Sequence, residues 1–423
     1  MKKIAVIGLG YVGLPLCVRL CSAFNVVGYD ISTQRISDLS DGVDVNGEFC
    51  KAELSSDNLF FTSDESSISD ASVYIITVPT PIDEYRAPDL AALKSATQTV
   101  GKALKKGDMV VSESTVYPGA TEDVCVPILE HESGLKMGID FMVGYSPERV
   151  SPGKNGKKIN EISKIISVYN LDKVQELYDI YSHVTDESLH LAPSIKVAEL
   201  AKVLENTQRD LNIALMNEIS HICHKLDIKT RDVLDAAATK WNFQRFEPGL
   251  VGGHCIGVDP YYLLSKAEQL GYSAEVITAG RRTNEKIPHF ITKRVVSRLA
   301  KLDKPLNAMR IAILGVTFKE NCPDCRNSKA LSLAPLFSLY GISCDHFDPY
   351  ACNFKSQDVG VSVLDDLPAG GDLYDAIILA VAHDRYLGLA IDDLESYLTP
   401  ESRALSIVFD VKGIHRKTEY MEL

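Results

Sequence analysis

At 423 residues the chain is too long for one ordinary core and reads as two or three domains. A hydrophobic share of 45% and a charged share of 24% exclude extensive disorder. No run approaches the ~20 unbroken apolar residues of a membrane span, and a net charge of -13 argues against a nucleic-acid binder while leaving room for an anionic substrate in a locally basic cleft.

The N-terminal MKKIAVIGLGYVG imitates a signal peptide, but glycines interrupt its apolar run and Asp30 follows at strand spacing, so a buried first β-strand is expected. Residues 1–30 read as strand, glycine-rich turn, helix and strand. Further strands are expected at Ser72–Val78, Met109–Ser112 and Phe141–Gly144, with a helix at Leu90–Leu104. Strands alternating with helices imply a parallel, doubly wound sheet. Ser194–Asp227 repeats apolar residues at three- and four-residue steps without glycine or proline, which predicts one helix of about nine turns. Pro305–Asn307 marks a linker. From Met309 the α/β pattern restarts, with a helix expected through Lys329–Tyr340. The fold class is therefore α/β: two Rossmann-like doubly wound domains joined by a long central helix. The expected division is 1–190 for dinucleotide binding, 191–304 for a central helical part and 305–423 for the second α/β domain.

Gly8-Leu9-Gly10-Tyr11-Val12-Gly13 follows a strand and opens a helix, the context in which GxGxxG lets a pyrophosphate approach backbone N–H groups. Asp30 closes the second strand, where its carboxylate suits ribose hydroxyls and repels a 2′-phosphate. NAD is therefore expected over NADP, with FAD the main competitor for the same fingerprint. Val78–Pro81 lies after a later strand, at the carboxyl edge where such sheets bind ligands.

The loop Pro248–Pro260 is rich in glycine and proline, and Asp259 follows Cys255 by four residues. Cys255 reads equally as a cleft nucleophile or as one more small buried residue. Lys202, Asn206 and Arg209 share one face of the long helix, a stripe able to hold an oxyanion and a phosphate, or a plain solvated face. Ten scattered cysteines suggest no disulfide framework and suit a reducing compartment, so a cytoplasmic location is expected. Cys322-Pro323-Asp324-Cys325 has redox or zinc spacing but no second ligand pair nearby, and no metal is expected. His221 and His224 read as ordinary helix histidines. His254 adjoins Cys255 on an extended loop, where neighbours point apart, and is not assigned as a base.

Seven segments in order (GLGYVGLPL, VPTP, SESTVYPGATE, SPERVSPG, AELAKVLENTQRDLNIALMNE, PGLVGGHCIGVDP and GVTFKENCPDCRNS) make the chain resemble the UDP-glucose/GDP-mannose dehydrogenase family over its whole length. SPERV and GGHCIGVDP are similar to the branch acting on UDP-N-acetylhexosamines in capsule, Vi-antigen and O-antigen synthesis. The resemblance implies oxidation of a C6 alcohol to a carboxylate with two NAD per sugar. It implies Cys255 as nucleophile, Lys202 and Asn206 as oxyanion partners, Thr115 and Asp259 as water-positioning residues, and Glu148 as an acid assisting proton movement. It matches Arg149, Val150, Arg209, Gly252, Phe318, Lys319 and Lys412 to substrate positions. Tyr11, Val12, Asp30, Arg35, Thr80, Thr115 and Arg326 fall with Gly8, Gly10 and Gly13 at the cofactor. Arg245 is the candidate for a basic residue given to a neighbouring subunit's site, with Lys240 the alternative. Pro152 stands where UDP-glucose enzymes carry a second glutamate, which shifts weight onto Asp259 and its water. Oxidation of another sugar nucleotide, and an inactive NAD or nucleotide-sugar sensor, are the competing readings; intact Cys255, Lys202, Asn206 and Asp259 argue against the sensor. Leu211, Ile213, Leu215 and Ile219 spread the long helix's apolar residues over a broad arc, so a homodimer through this helix is expected.

Overall fold

Short apolar runs with both faces covered form the centre of two parallel sheets. The computed structural model describes residues 2–150, 156–170, 173–351, 355–356, 361–368, 371, 373–415, 417 and 419–423. They form two compact units, Met1–Glu205 with Tyr261–Ser273, and Asn206–Pro260 with Ala274–Leu423.

The first unit holds β1 (Lys3–Ile7), β2 (Asn25–Tyr29), β3 (Leu59–Thr62), β4 (Val73–Ile76), β5 (Met109–Ser112), β6 (Met142–Tyr145), β7 (Lys164–Val168) and β8 (Leu189–Leu191). Their order is β3-β2-β1-β4-β5-β6-β7-β8. Every neighbouring pair is parallel except β6 with β7. The run once imitating a signal peptide is thus a central strand. Its Ile4 and Val6 pack with Leu14, Leu16, Val73 and Ile75 in one core. The order reverses between β1 and β4, the crevice at which such sheets take ligands. The strand expected at Phe141–Gly144 is shifted one residue, to Met142–Tyr145.

The second unit repeats the plan with β9 (Arg310–Leu314), β10 (Ser343–Phe347), β11 (Lys355–Ser356), β12 (Val361–Leu364), β13 (Ala376–Leu379), β14 (Val408–Asp410) and β15 (Met421–Glu422). The order is β11-β12-β10-β9-β13-β14-β15, and only β11 runs antiparallel to its neighbour. Here the reversal falls between β9 and β13. The helix expected through Lys329–Tyr340 is Leu333–Ser338. Its expected first turn belongs instead to a loop in which Asn327 adopts a left-handed backbone, φ 51°.

Ile195–Leu226 is a single helix of 32 residues, about 48 Å at 1.5 Å per residue. It stops where Asp227 takes φ 55° and the Ile228 N–H turns back to the Cys223 carbonyl. It buries polar side chains beside apolar Ile195, Ala198, Val203, Ala214 and Met216. The buried stripe carries Glu199, Lys202, Asn206, Asp210 and Asn217, whereas Val197, Leu200, Leu204, Leu215, Ile222 and Leu226 are exposed, Leu204 at 55% and Leu215 at 52%. No helix among the described residues is long and apolar enough to cross a membrane.

Candidate active site

In the first unit the three glycines of the β1 turn do different work. Gly8 has φ +95° and donates to the Tyr29 carbonyl at 2.8 Å, which a side chain would strain. A Cβ on Gly10 would meet nothing within 4 Å, so this position stays open to a ligand. A Cβ on Gly13 would stand 1.9 Å from the Gly8 carbonyl oxygen, so only glycine lets the helix Gly13–Leu20 start this close to the strand. Val12 at its N-cap makes no side-chain cap, leaving the first turn's donors for a phosphate. Asp30 accepts from the Leu9 N–H at 2.8 Å and the Ser32 N–H at 2.9 Å, while Arg35 Nε donates to the Leu9 carbonyl at 3.0 Å. The two side chains therefore hold the peptides on either side of Leu9, just before Gly10. A carboxylate has about four acceptor sites, which leaves Asp30 capacity for two ribose hydroxyls. This local set fits a dinucleotide.

Hydroxyls lock the neighbouring strand ends. Thr80 Oγ1 donates to the Thr115 carbonyl at 2.6 Å, Ser114 Oγ to that of Val78 at 2.7 Å, and the Tyr262 hydroxyl to that of Thr80 at 2.8 Å. Glu199, which sequence reasoning missed, accepts the Gly119 N–H at 2.5 Å and the Thr121 N–H at 2.9 Å, pinning the loop that follows Thr115. Burial pushes the Glu148 carboxyl above its ordinary range, opposed first by the Lys202 ammonium and then by the Val150 N–H that donates to it. A raised carboxyl holds its proton further toward neutral pH, as an acid in proton movement requires. Arg149 grips Glu205, Nη2 at 2.7 Å, and donates to the Ser163 carbonyl at 2.6 Å. Pro152 lies outside the described residues.

Behind Glu148 is a charge pair with no sequence signal. Lys164 Nζ lies 2.6 Å from Glu113 Oε2, both side chains are essentially inaccessible, and the Tyr181 hydroxyl donates to the other Glu113 oxygen at 2.6 Å. Lys164 also opposes, more weakly than Lys202, the rise of the Glu148 carboxyl.

In the second unit the cysteine loop is laid against the loop after β9. The Gly249 N–H donates to Asn217 Oδ1 at 2.8 Å, and Gly253 exchanges hydrogen bonds with Asn327 at 3.1 and 2.8 Å. A Cβ on Gly252 would fall 2.5 Å from the Asn327 carbonyl oxygen, which explains glycine there. Cys255 is half-buried, and its carbonyl accepts from the Val258 and Asp259 N–H groups as the chain enters the helix Asp259–Gln269. Asn206 Nδ2 donates to Asp259 Oδ2 at 2.6 Å. Asn206 and Asp259, read separately in the sequence, are thus one hydrogen-bonded pair. His254 Nδ1 faces the Asp324 carboxylate at 3.7 Å and its ring meets the Phe318 ring edge-on at 5.3 Å.

Leu250, Gly252, Phe318, Lys319, Lys329 and Lys412 line a cavity of about 110 Å³ with Ala380 and Val381. It lies beyond the carboxyl ends of β9 and β13, at this sheet's reversal. Four of the expected substrate positions meet here. Asp348 supports the loop by accepting from the Val316 and Thr317 N–H groups at 2.7 and 3.0 Å, and His383 Nε2 lies 3.0 Å from it. Arg326 is engaged with both Asp324 oxygens. Burial pushes the Cys325 thiol up to about 12, so this member of the CPDC segment stays protonated. Arg209 is exposed, and Arg245 holds Asp235 and Glu247, each at 2.6 Å.

Residues 2–185 match the NAD binding domain of the UDP-glucose/GDP-mannose dehydrogenase family, 196–286 its central domain and 312–417 its UDP binding domain. The chain is 46% identical over 413 residues to the UDP-N-acetyl-D-glucosamine 6-dehydrogenase of Pseudomonas aeruginosa, covering 97% of this chain and 96% of that one. It is 44% identical over 414 residues to the enzyme of the same description from Salmonella typhi, with the same coverage. The structure of a UDP-D-ManNAc dehydrogenase from Pyrococcus horikoshii superposes with a TM-score of 0.88 at 30% identity, covering 100% of this chain and 98% of that one.

Replacing Lys164 by methionine would leave Glu113 charged and unpaired inside the first unit. Lys164→Met is expected to destabilise by about 3–5 kcal/mol, and Lys164→Met with Glu113→Gln to recover most of the loss. Urea unfolding followed by circular dichroism checks this; equal stability of the single and double variants would contradict it.

Proposed function

Because the chain belongs to the UDP-glucose/GDP-mannose dehydrogenase family, we propose that it oxidises the C6 alcohol of a UDP-N-acetylhexosamine, UDP-GlcNAc or UDP-GalNAc, to the uronic acid with NAD, for bacterial surface polysaccharide. Relatives at 44–46% identity over nearly the whole chain carry this reading. The glycine turn, Tyr11, Val12, Asp30, Arg35, Thr80, Thr115 and Arg326 hold NAD, and two NAD accept the four electrons. Gly252, Phe318, Lys319 and Lys412 hold the nucleotide end of the sugar, with Arg149, Val150 and Arg209 as further contacts. The working division is 1–190, 191–304 and 305–423, supported by the three matched segments. The enzyme acts in the cytoplasm.

The chain's own chemistry centres on Cys255. After the first oxidation its thiolate adds to the C6 aldehyde, giving a thiohemiacetal whose oxyanion is steadied by Lys202 and Asn206. The second oxidation leaves a thioester. Water, positioned by Thr115 and Asp259, cleaves it to the carboxylate and regenerates the thiolate. The Asn206–Asp259 hydrogen bond supports this role, since an amide N–H donating to Asp259 holds a carboxylate ready to accept a water proton. Glu148 takes part in the proton transfers. The net change is one alcohol, two NAD and one water to one carboxylate, two NADH and three protons. Wild-type enzyme should form two NADH per sugar, and Cys255→Ala should keep nucleotide-sugar and NAD binding while losing net turnover. A steady-state rate within about tenfold of wild type, ~1.4 kcal/mol of barrier, would contradict covalent catalysis.

The outward apolar stripe of Ile195–Leu226 supports a homodimer in which each helix covers its copy, and Arg245 is the candidate for a residue given to the neighbour's site. Light scattering should give twice the 46.5 kDa chain mass. Leu204→Glu with Leu215→Glu should yield inactive monomer; a fully active monomer would contradict both the interface and the shared site.

A further inference from the structure

The second unit contains a larger cavity, about 200 Å³, at the last turn of the long helix and the C-terminal strand. None of its lining residues is among those assigned above to NAD, to the sugar nucleotide or to Cys255. Arg294 and Arg298, one helical turn apart on Ile287–Leu299, line it with Lys229 and His224. Like charges at this spacing repel, and neither arginine forms an ion pair among the described residues.

Their bonds go to carbonyls. Arg294 donates to that of Glu422 at 2.5 Å, and Arg298 to those of Leu405 and Glu419 at 3.4 and 3.3 Å. A guanidinium has five donors, so most of this capacity is not consumed by those bonds. Arg294 is wedged between the Phe290 and Phe409 rings. Burial, then Arg298, pulls its guanidinium down to about 10.

The acids around the cavity are shared or exposed, and Glu422 only partly offsets the fall at Arg294. Glu422 faces Lys229 at 3.5 Å and Arg231 at 3.8 Å. Asp227 and Glu419 are exposed. The helix Thr230–Ala238 begins at the wall with Lys229 as an N-cap lacking a side-chain cap bond, so its first N–H groups add a positive end. Two guanidiniums, an ammonium and a helix N-terminus around one cavity form the donor set that planar forked recognition of phosphate uses.

We propose that this cavity binds a phosphate-bearing anion, bridged by Arg294, Arg298 and Lys229. Calorimetry on the full chain, saturated with NADH and UDP to fill the two nucleotide sites, tests this with orthophosphate, pyrophosphate and a hexosamine 1-phosphate. The three arms separate an inorganic source from a sugar phosphate. One anion should bind per chain and raise the melting temperature, and Arg298→Met should weaken the tightest of the three at least tenfold with basal turnover unchanged. Lys229→Gln, which removes no contact of the arginines, gives the same readout if Arg298→Met folds poorly. Absence of binding by all three anions, or an affinity unchanged in the folded variant, overturns the proposal.

Discussion

A long helix that buries polar side chains is the constraint on which the rest depends. Burying Glu199, Lys202, Asn206, Asp210 and Asn217 along one stripe is unfavourable unless each polar group finds a partner. The partners are backbone N–H groups after Thr115 for Glu199, Asp259 for Asn206, and the Gly249 peptide for Asn217. Asp210 meets Arg281 at 2.5 Å and Asn284 at 2.7 Å, deep in the second unit. The stripe acts as a template for the loops packed on it, while Val197, Leu200, Leu204, Leu215, Ile222 and Leu226 are left on the outward side.

The two sheets meet the same problem with the same device. In each, a glycine of positive φ follows the first strand, Gly8 and Gly315, and donates at 2.8 Å to the last carbonyl of the neighbouring strand. In each, an aspartate ends that neighbouring strand and accepts N–H groups from the glycine loop, Asp30 from Leu9 and Asp348 from Val316 and Thr317. They diverge in what remains. Asp30 keeps acceptor capacity beside an open Gly10, which suits ribose. Asp348 is enclosed with His383, and the loop it supports presents Phe318 and Lys319 to the cavity instead.

Much of this was legible because its causes are local. A strand, a glycine turn, a helix and a terminal acid lie within thirty residues, and the reading from Gly8 to Asp30 needed no long-range information. The long helix was equally clear from its period, though periodicity alone does not say which stripe faces inward. Glu113 with Lys164, Glu199 with Gly119, Asn217 with Gly249 and Asp348 with His383 join residues dozens of positions apart. No spacing rule connects them. The helix expected from Lys329 failed for a related reason: the preceding loop is held by the cysteine loop through Asn327, and tertiary contact overrode local propensity.

The proposed mechanism requires a covalent bond between Cys255 and the oxidised sugar, cleared by water that Asp259 activates. Slowing that last step should make the bond visible. Asp259→Asn enzyme given NAD and UDP-GlcNAc, quenched in acid and digested, should show by mass spectrometry a nucleotide-sugar acyl group on the peptide containing Cys255, absent without NAD. An unmodified Cys255 during continued NADH formation would contradict the central claim.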